Sequence, residues 1–463
     1  MNAIFIGLIL VVFGGIFFVQ PQAAPGALTL AVIASLPTIL ILSRGSVEDR
    51  TFLIRVFILG LLVRMILATV IYAGHMEEFF GGDANTYDIF GKSLAASWHG
   101  DKYHLARYQS FVASGASAWG MIYIVAIVYE LFGANMFAIQ LLNASIGSST
   151  AIVVYSTAQT LFKNKRVSRL ACLLVCFFPS LILWSSQALK DGLIVLVLAL
   201  AILCTLRLME KVTIAYALIL AACLLGLLTL RFYTFYMMLA SVAGSFLIGM
   251  KQLTSQAFLG RFLAVLGVGL VFTWFGGGQY AGSQIDKYAN LKMVQTSRTD
   301  LAQNAESGFM KDVDVQTTEG ALTAIPVGTL YLLFAPFPWQ LASLRQSIAL
   351  PEMIVWWLAF PLLILGFWYG IKHHLRQVSP IIVFTTLLTL AYSLVQGNVG
   401  TAYRQRSQLL VFYFIFVAVG AVIVKERAED RQAEAARAKR ELAELQAARL
   451  LARRQGSQTV VGS

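Results

Sequence analysis

The sequence predicts an all-α, polytopic integral membrane protein with about 12 transmembrane helices, each about 20 residues long. Of the 463 residues, 58% are hydrophobic and only 13% are charged, whereas soluble domains carry about 25% charged residues. The mean hydropathy is +0.73. The net charge of +12 does not indicate a nucleic-acid partner, because Lys and Arg cluster in short connectors, as they do on the cytoplasmic side of membrane proteins.

Hydropathy sets the order of the elements. The predicted spans are 3–19, 26–43, 51–73, 136–162, 169–185, 191–208, 213–230, 232–250, 262–275, 351–371, 379–396 and 407–424. The cationic connectors, which are expected to be cytoplasmic, are 44–50, 163–169, 207–211, 251–261 and 372–376. If either 118–133 or 325–342 crossed the membrane, the cationic connector 163–169 or 372–376 would lie outside the cytoplasm. Both segments are therefore predicted to lie in the outer interface or to re-enter from it. Both termini are then cytoplasmic.

The chain divides into four predicted parts. These are an N-terminal transmembrane hairpin at 1–50, a membrane core at 51–260 with its first outer loop at 74–117, a C-terminal membrane region at 261–424 with an outer loop at 276–324 and the re-entrant segment 325–342, and a charged, helical, cytoplasmic tail at 425–463. An apolar N-terminus can also be a cleaved signal peptide. The absence of Lys and Arg before this run favours a retained span over 1–19.

The first outer loop contains an unusual polar cluster, "GGDANTYDIFGKSLAASW" at 81–98. The pattern predicts a helix from about Asp83, on which Asp83, Tyr87 and Asp88 occupy neighbouring positions. Tyr87 is a candidate substrate ligand. A carboxylate at the hydrocarbon boundary is partly desolvated and therefore suits a general base. The alternative is that Asp83 only caps the helix.

A second polar cluster, "GNVGTAYRQRSQ" at 397–408, precedes the last span. Arg404 and Arg406 retain their charge at any ordinary pH and can bind a phosphate. Two residues at i and i+2 face one ligand together only if the segment is extended, which Gly397 and Gly400 favour. The alternative is that both arginines anchor the protein at lipid headgroups.

Three further residues on the same side are candidate substrate ligands. Lys190 can bind a phosphate beside Asp83, or form an ion pair with Asp191 at a helix start. Arg231 and Tyr233 can contact phosphate or sugar, or belong to an interfacial aromatic belt. Arg64 lies near the middle of a span and requires a buried partner, which the sequence does not identify.

One arrangement in the chain resembles a known superfamily. It consists of a core span, an outer loop reading G-D-A-x-x-Y-D-x-x-G/A-x-x-L-A, an interfacial helix ending in "LFG" and a series of further spans. Over about 51–260 it is similar to the GT-C superfamily of polyprenyl-phosphate-dependent glycosyltransferases, and it most resembles bacterial members of the family-39 type. The resemblance implies a multi-pass enzyme of the bacterial inner membrane, active in cell-envelope polysaccharide biosynthesis.

The resemblance also implies a reaction. A hexosyl or pentosyl group would move from a polyprenyl-phosphate donor to a glycan, lipid or protein acceptor on the extracytoplasmic face. The catalytic carboxylate would be Asp83, with Asp88 as a second candidate. Some relatives bind a divalent cation through a tight Asp-x-Asp pair, which this loop lacks, so a divalent cation stays open and no metal ligand is assigned. Asp312 and Asp314 form such a pair in the later outer loop, where a solvated acidic surface is favoured.

Two other functions remain open on the sequence alone. A polysaccharide polymerase or ligase of the O-antigen type would depend on Arg404 and Arg406 more than on Asp83. A lipid or solute transporter would show internal repeats and broken spans near the membrane midplane. The concentration of polar residues on one side of the membrane argues against the transporter.

Overall fold

The structure, a computed structural model, describes residues 3–44, 47–113, 119–249, 274, 279, 282, 291–303, 307–311, 313–341 and 343–460. Within these residues every regular element is an α-helix, apart from an isolated bridge between Gly308 and Asn398. The predicted all-α class is therefore confirmed. The predicted span 262–275, except Trp274, and Asp312 of the predicted acidic pair lie outside the described residues.

The helices are numbered here in chain order. They are α1 (Ala3–Val19), α2 (Ala24–Ser43), α3 (Val47–Ala73), α4 (Glu77–Phe80), α5 (Asp83–Trp98), α6 (Lys102–Ala113), α7 (Trp119–Phe132), α8 (Met136–Phe162), α9 (Lys165–Phe177), α10 (Pro179–Ser185), α11 (Asp191–Glu210), α12 (Ile214–Leu230), α13 (Phe232–Gly249), α14 (Leu291–Gln303), α15 (Thr318–Phe334), α16 (Leu344–Val395) and α17 (Val399–Val460).

Six helices in the described part of the chain are long and apolar enough to cross a membrane, or seven if the bent pair α9 and α10 forms one span. The six are α2, α3, α8, α11, α16 and α17. Shorter apolar helices are α1, α7, α12, α13 and α15. The protein is therefore a multi-pass membrane protein, whereas the count of about 12 spans stays a prediction.

The 52-residue helix α16 covers two of the predicted spans, 351–371 and 379–396. Between them its backbone breaks at His374, with a φ of −135° and a ψ of 22°. Along the first half, contacts with α17 advance in parallel. Trp356 packs against Phe414, and Leu362 lies against Gly420.

After the break, the contacts of α16 with α17 run in the opposite direction. Phe384 packs against Phe412, and further along α16 Tyr392 donates a hydrogen bond to Gln408 at 2.9 Å. The second half is therefore antiparallel to α17, and α16 is a hairpin. Its bend coincides with the predicted connector 372–376.

Helix α7 lies along one end of the helix bundle, which is called the site end below. Its beginning contacts the last turn of α12, where Gly120 lies against Thr229. Beyond its other end, Asn135 donates to the carbonyl of Ala23, just before α2, at 2.8 Å. Since α2 starts and α12 ends at this same end, the arrangement supports the interfacial position predicted for 118–133.

Helix α15 also stays close to the site end. Its Tyr331 stacks on Phe309 with the ring centroids 4.1 Å apart, and the N–H of Phe309 donates to the carbonyl of Gly397 at 2.8 Å. Gly397 lies two residues before the start of α17. This contact supports the interfacial or re-entrant position predicted for 325–342.

The opposite end of the bundle, called the connector end below, carries the 163–169 connector. There Arg166 pairs with Glu429 at 2.8 Å, and Arg169 pairs with Asp49 at 3.4 Å. Because α17 continues without a break through Glu429 to Val460, the final span and the charged tail form one helix. The connector therefore contacts the first turns of the tail.

Candidate active site

An ion pair between Asp83 and Arg404 joins the two polar clusters that the sequence singles out. The Oδ2 atom of Asp83 lies 2.8 Å from Nη1 of Arg404. Asp83 is the first residue of α5, and Gly82 occupies the N-cap position without a side-chain cap. The Asp83 carboxylate is 51% exposed, whereas Arg404 is 14% exposed. Asp83 thus stands at the rim and Arg404 beneath it.

Asp191 anchors Arg404 from the buried side. The Nε of Arg404 donates to Oδ2 of Asp191 at 2.7 Å, and Arg231 pairs with Oδ1 of Asp191 at 3.2 Å. Asp191 is 0% exposed. A buried carboxylate requires compensation by opposite charge, and here two guanidinium groups provide it. Asp191 therefore fixes one edge of Arg404 and leaves Nη1 facing Asp83.

Lys190 lies beside this buried network, at the end of the segment that joins α10 to α11. Its Nζ lies 6.0 Å from the centroid of the Tyr87 ring. Burial, followed by the nearby charge of Arg231, lowers the pKa of Lys190 to about 7, while Asp191 and Asp83 oppose the shift. The site therefore holds an amine that changes its charge near neutral pH.

Tyr87 lies near both Lys190 and Asp83. It is 4% exposed, and burial, followed by the carboxylates of Asp83 and Asp191, raises its pKa above the ordinary range. Its hydroxyl therefore stays protonated and is a hydrogen-bond donor at physiological pH.

A chain of hydroxyl and amide groups extends from Arg231 into the bundle. Arg231 donates to the hydroxyl of Tyr392 at 3.3 Å, and Tyr392 donates to Gln408 at 2.9 Å. The hydroxyl groups of Tyr233 and Tyr392 lie 3.4 Å apart. The structure thus brings six sequence candidates into one cluster, namely Asp83, Tyr87, Lys190, Arg231, Tyr233 and Arg404.

Asp88, the second carboxylate that the sequence proposes, points away from this cluster. Its Oδ1 accepts from the hydroxyl of Tyr129 at 2.5 Å, and its Oδ2 pairs with Lys92 at 2.7 Å. The first contact joins α5 to α7, and the second lies within α5. The structure therefore gives Asp88 a packing role between the interfacial helices.

Arg406 also lies apart from Arg404, because the segment that carries them is helical from Val399 onward. The expectation of an extended segment is wrong, and residues at i and i+2 point in different directions on a helix. Arg406 is 1% exposed, and its Nη1 donates to the carbonyl of Leu333 at 2.9 Å. Arg406 therefore binds the last turn of α15.

The sequence assigns no site role to Asp191, Tyr392 or Gln408. Asp191 enters there only as an alternative ion-pair partner of Lys190, and its position at the start of an apolar helix is the signal that marks it. Tyr392 and Gln408 give no local signal, because their partners are distant in the chain. Only tertiary packing brings them together.

The carboxylates of the cluster do not fit a divalent cation. Magnesium and calcium bind oxygen ligands, but Asp83 and Asp191 both face arginine side chains. Among the residues that the structure describes, no group of three or more His, Cys, Asp and Glu side chains is arranged to hold a metal ion.

A groove of about 450 Å³ lies deeper along the bundle, between the bend of α9 and α10 and the first half of α16. Phe177, Pro179 and Pro351 belong to its largely apolar lining, and Glu352 is its one charged member. The hydroxyl of Tyr403, the neighbour of Arg404, donates to Glu352 at 2.9 Å. The groove therefore borders the ion-pair cluster.

The described helices define a multi-pass membrane protein, and a family match over part of the chain indicates a glycosyltransferase. Residues 118–275 match the family model described as dolichyl-phosphate-mannose-protein mannosyltransferase, which confirms the resemblance to GT-C glycosyltransferases that use polyprenyl-phosphate sugar donors. The match includes Lys190, Asp191 and Arg231, but it does not reach Asp83 or Arg404. No curated protein matches the chain.

Proposed function

We propose that this protein transfers a hexosyl or pentosyl group from a polyprenyl-phosphate donor to a hydroxyl-bearing acceptor, a glycan, lipid or protein, at the extracytoplasmic face of the bacterial inner membrane. The observation that carries the proposal is the contact of 2.8 Å between Asp83 and Arg404. This contact supports Asp83 as the base and Arg404 as the phosphate ligand, and the buried Asp191 pairs with Arg404 from the other side.

The reaction needs a base and a cation at the same cleft. The acceptor oxygen forms a bond to the anomeric carbon, and the bond from that carbon to the phosphate oxygen breaks, with its electron pair staying on the phosphate. Asp83 takes the proton of the acceptor hydroxyl. Arg404 stabilises the negative charge that develops on the phosphate. Inversion at the anomeric carbon follows from a single displacement.

The charges of the cluster suit a phosphodiester that becomes a phosphomonoester. Arg231, Arg404 and protonated Lys190 carry three positive charges, and Asp83 and Asp191 carry two negative charges. The remaining positive charge offsets the single negative charge of the donor. A phosphomonoester carries about −1.5 to −2 at neutral pH, so product formation favours the protonated form of Lys190.

Donor binding would also free the base. Nη1 of Arg404 contacts Asp83, whereas Nε faces Asp191. A phosphate that takes over Nη1 would release the Asp83 carboxylate to the acceptor without disturbing the contact with Asp191. The donor would therefore bind before Asp83 accepts a proton.

The apolar groove beside Tyr403 suits the prenyl chain of the donor. Chains of this kind favour concave apolar surfaces, and the groove borders the cluster through Glu352 and Tyr403. In this arrangement the phosphate lies at Arg404 and the chain runs along Pro351 and Phe177.

Replacement of the two central residues tests the proposal. Asp83→Asn is expected to slow consumption of lipid-linked sugar in membranes by about 10² to 10⁴, and Arg404→Ala by about 10² to 10³. Asp88→Asn is the matched control on the same helix, and it should stay near the wild-type rate. A folded Asp83→Asn variant with a normal rate would contradict the assignment of the base.

The same assay separates the proposal from a polysaccharide polymerase or ligase. That function requires both Arg404 and Arg406 to outweigh Asp83. Because Arg406 binds the last turn of α15, we expect Arg406→Gln to lower the yield of folded protein and to leave the rate per folded molecule within about threefold, which is less than 1 kcal/mol.

A further inference from the structure

Arg64 is a buried cation in the second half of α3. It is 1% exposed, and a charge at this depth is costly unless polar partners surround it. Its Nη1 donates to the carbonyl of Cys176 at 2.8 Å and to that of Gly60 at 3.1 Å. Its Nε donates to the hydroxyl of Ser185 at 2.8 Å. These are the partners that the sequence leaves unidentified.

The contacts with Cys176 and Ser185 lie on either side of a break in the chain. Helices α9 and α10 meet at an angle of 56°. Pro179 at the start of α10 has no N–H, so carbonyl groups in the last turn of α9 lose their helical donors. Arg64 donates to one of these carbonyls and to the last residue of α10. It therefore bridges both arms of the bend.

The packing around Arg64 leaves room for little else. A Cβ atom on Gly147 would lie 2.8 Å from Nε of Arg64 and would also collide with Ser185. A Cβ atom on Gly60 would lie 3.3 Å from Nη1 of Arg64 and would collide with Cys176. Glycines at both positions allow the guanidinium and the bend to approach α3 and α8 closely.

The bend leads directly to the active-site cluster. From Ser185 only a short segment reaches Lys190 and Asp191, and Asn143 fixes it by donating to the carbonyls of Gln187 at 2.6 Å and Leu189 at 2.7 Å.

Arg64, Ser185 and Asp191 also line the same cavity, whose volume of about 20 Å³ has room for one water molecule. The two arms of the bend, the cavity and the site thus form one continuous assembly.

We infer that Arg64 is a positioning residue for the transfer reaction. It holds the bend between α9 and α10 at the angle that directs Lys190 and Asp191 toward Asp83 and Arg404. The inference rests on the proposed function, because it gives Arg64 no contact with the substrate. Arg64 acts through Ser185 and the segment that follows it.

The test compares Arg64→Met and Arg64→Lys with the matched control Arg55→Met, which removes an exposed arginine from the same helix. Turnover is measured at several donor concentrations and pH values with the purified full-length protein in detergent. We expect Arg64→Met to lower kcat/KM at least tenfold relative to the control. Arg64→Lys keeps a cation that can still donate to some of the acceptors of Arg64. Its kcat/KM should therefore lie between those of Arg64→Met and the Arg55→Met control.

The pH profile separates positioning from general destabilisation. In the wild type, kcat/KM should fall as the pH rises through about 7, where Lys190 loses its proton. If Arg64→Met lets the segment relax toward solvent, burial of Lys190 decreases and this fall moves to higher pH. A loss of folded protein alone would lower the rate at every pH without moving the profile.

Each outcome bears on the inference. A moved profile with partial rescue by Arg64→Lys supports it, whereas an unmoved profile overturns it. If Arg64→Met does not fold, Ser185→Ala decides, because it removes one acceptor and should move the profile in the same direction by a smaller amount. Full activity of Asp83→Asn and Arg404→Ala would instead overturn the proposed function, whatever Arg64 does.

Discussion

The two ends of the helix bundle carry ion pairs of similar length in very different surroundings. At the site end, Asp191 is 0% exposed and lies 3.2 Å from Arg231. At the connector end, Arg166 and Glu429 are 56% and 45% exposed and lie 2.8 Å apart. Distance alone would rank the second pair higher. Burial reverses the ranking, because water screens the exposed pair and leaves the buried charges dependent on one another.

The two ends differ in whether their charged side chains are solvated or buried. Solvated pairs at the connector end fit the cytoplasmic loops that hydropathy predicts. The site end instead brings Lys190, Asp191, Arg231 and Arg404 together beneath a half-exposed carboxylate. Such an arrangement is costly to build, and perturbed ionisable groups cluster at functional sites. The difference between the two ends is therefore itself an argument for the site.

The largest expected effect comes from removing the buried anion. Asp191→Asn would leave Arg231 and Arg404 without their shared counter-charge, which costs about 3–5 kcal/mol for a buried pair. We expect a clearly lower midpoint of thermal unfolding in detergent, together with loss of turnover. Unchanged unfolding would show that Asp191 is not the anchor of the two arginines.

The next largest effect concerns the charge of Lys190. Burial lowers its pKa from 10.5 to about 7, so the amine is protonated below that pH and neutral above it. If Lys190 binds the donor phosphate as proposed, only its protonated form can do so. We therefore expect kcat/KM for the donor, which reports groups of the free enzyme, to fall as the pH rises through about 7. The charged and titratable groups that face Lys190 are Asp83, Tyr87, Asp191, Arg231 and Arg404.

Lys190→Arg sharpens this prediction. An arginine keeps its charge throughout the range, so the fall near pH 7 should disappear in this variant. Retention of the fall in Lys190→Arg would assign it to another group.

The smallest expected effect belongs to the connector end. Glu429→Gln removes the nearer carboxylate partner of Arg166 in a solvent-exposed setting, where ion pairs contribute little. We expect the unfolding midpoint and the turnover to match those of the wild type. A large loss in either would erase the distinction between the two ends.

Much of this arrangement follows from the sequence, and the reason is physical. Hydropathy and the placement of cations decide which side of the membrane a residue occupies, so these two properties alone assign Asp83, Lys190, Arg231 and Arg404 to one side. Gly397 and Gly400 near Arg404 favour an extended segment, so the sequence does not predict that α17 is already helical there.

Which way a side chain faces around its helix axis depends on packing between distant segments. Asp88 lies five residues beyond Asp83 on α5, and its side chain contacts Tyr129 on α7. Arg406 turns toward α15 for the same reason, and the pairing of Tyr392 with Gln408 leaves no trace in local sequence. Packing also supplies the partners of Arg64, which lie on a bend that hydropathy reads as one span.

A double-mutant cycle on Asp83 and Arg404 tests the central claim most directly. The values of kcat/KM are compared for the wild type, Asp83→Asn, Arg404→Gln and the double variant, each normalised to folded protein. If the two residues act as one unit, the double variant loses little more than the worse single variant. Losses that multiply, so that the coupling energy is below about 0.5 kcal/mol, would contradict the account.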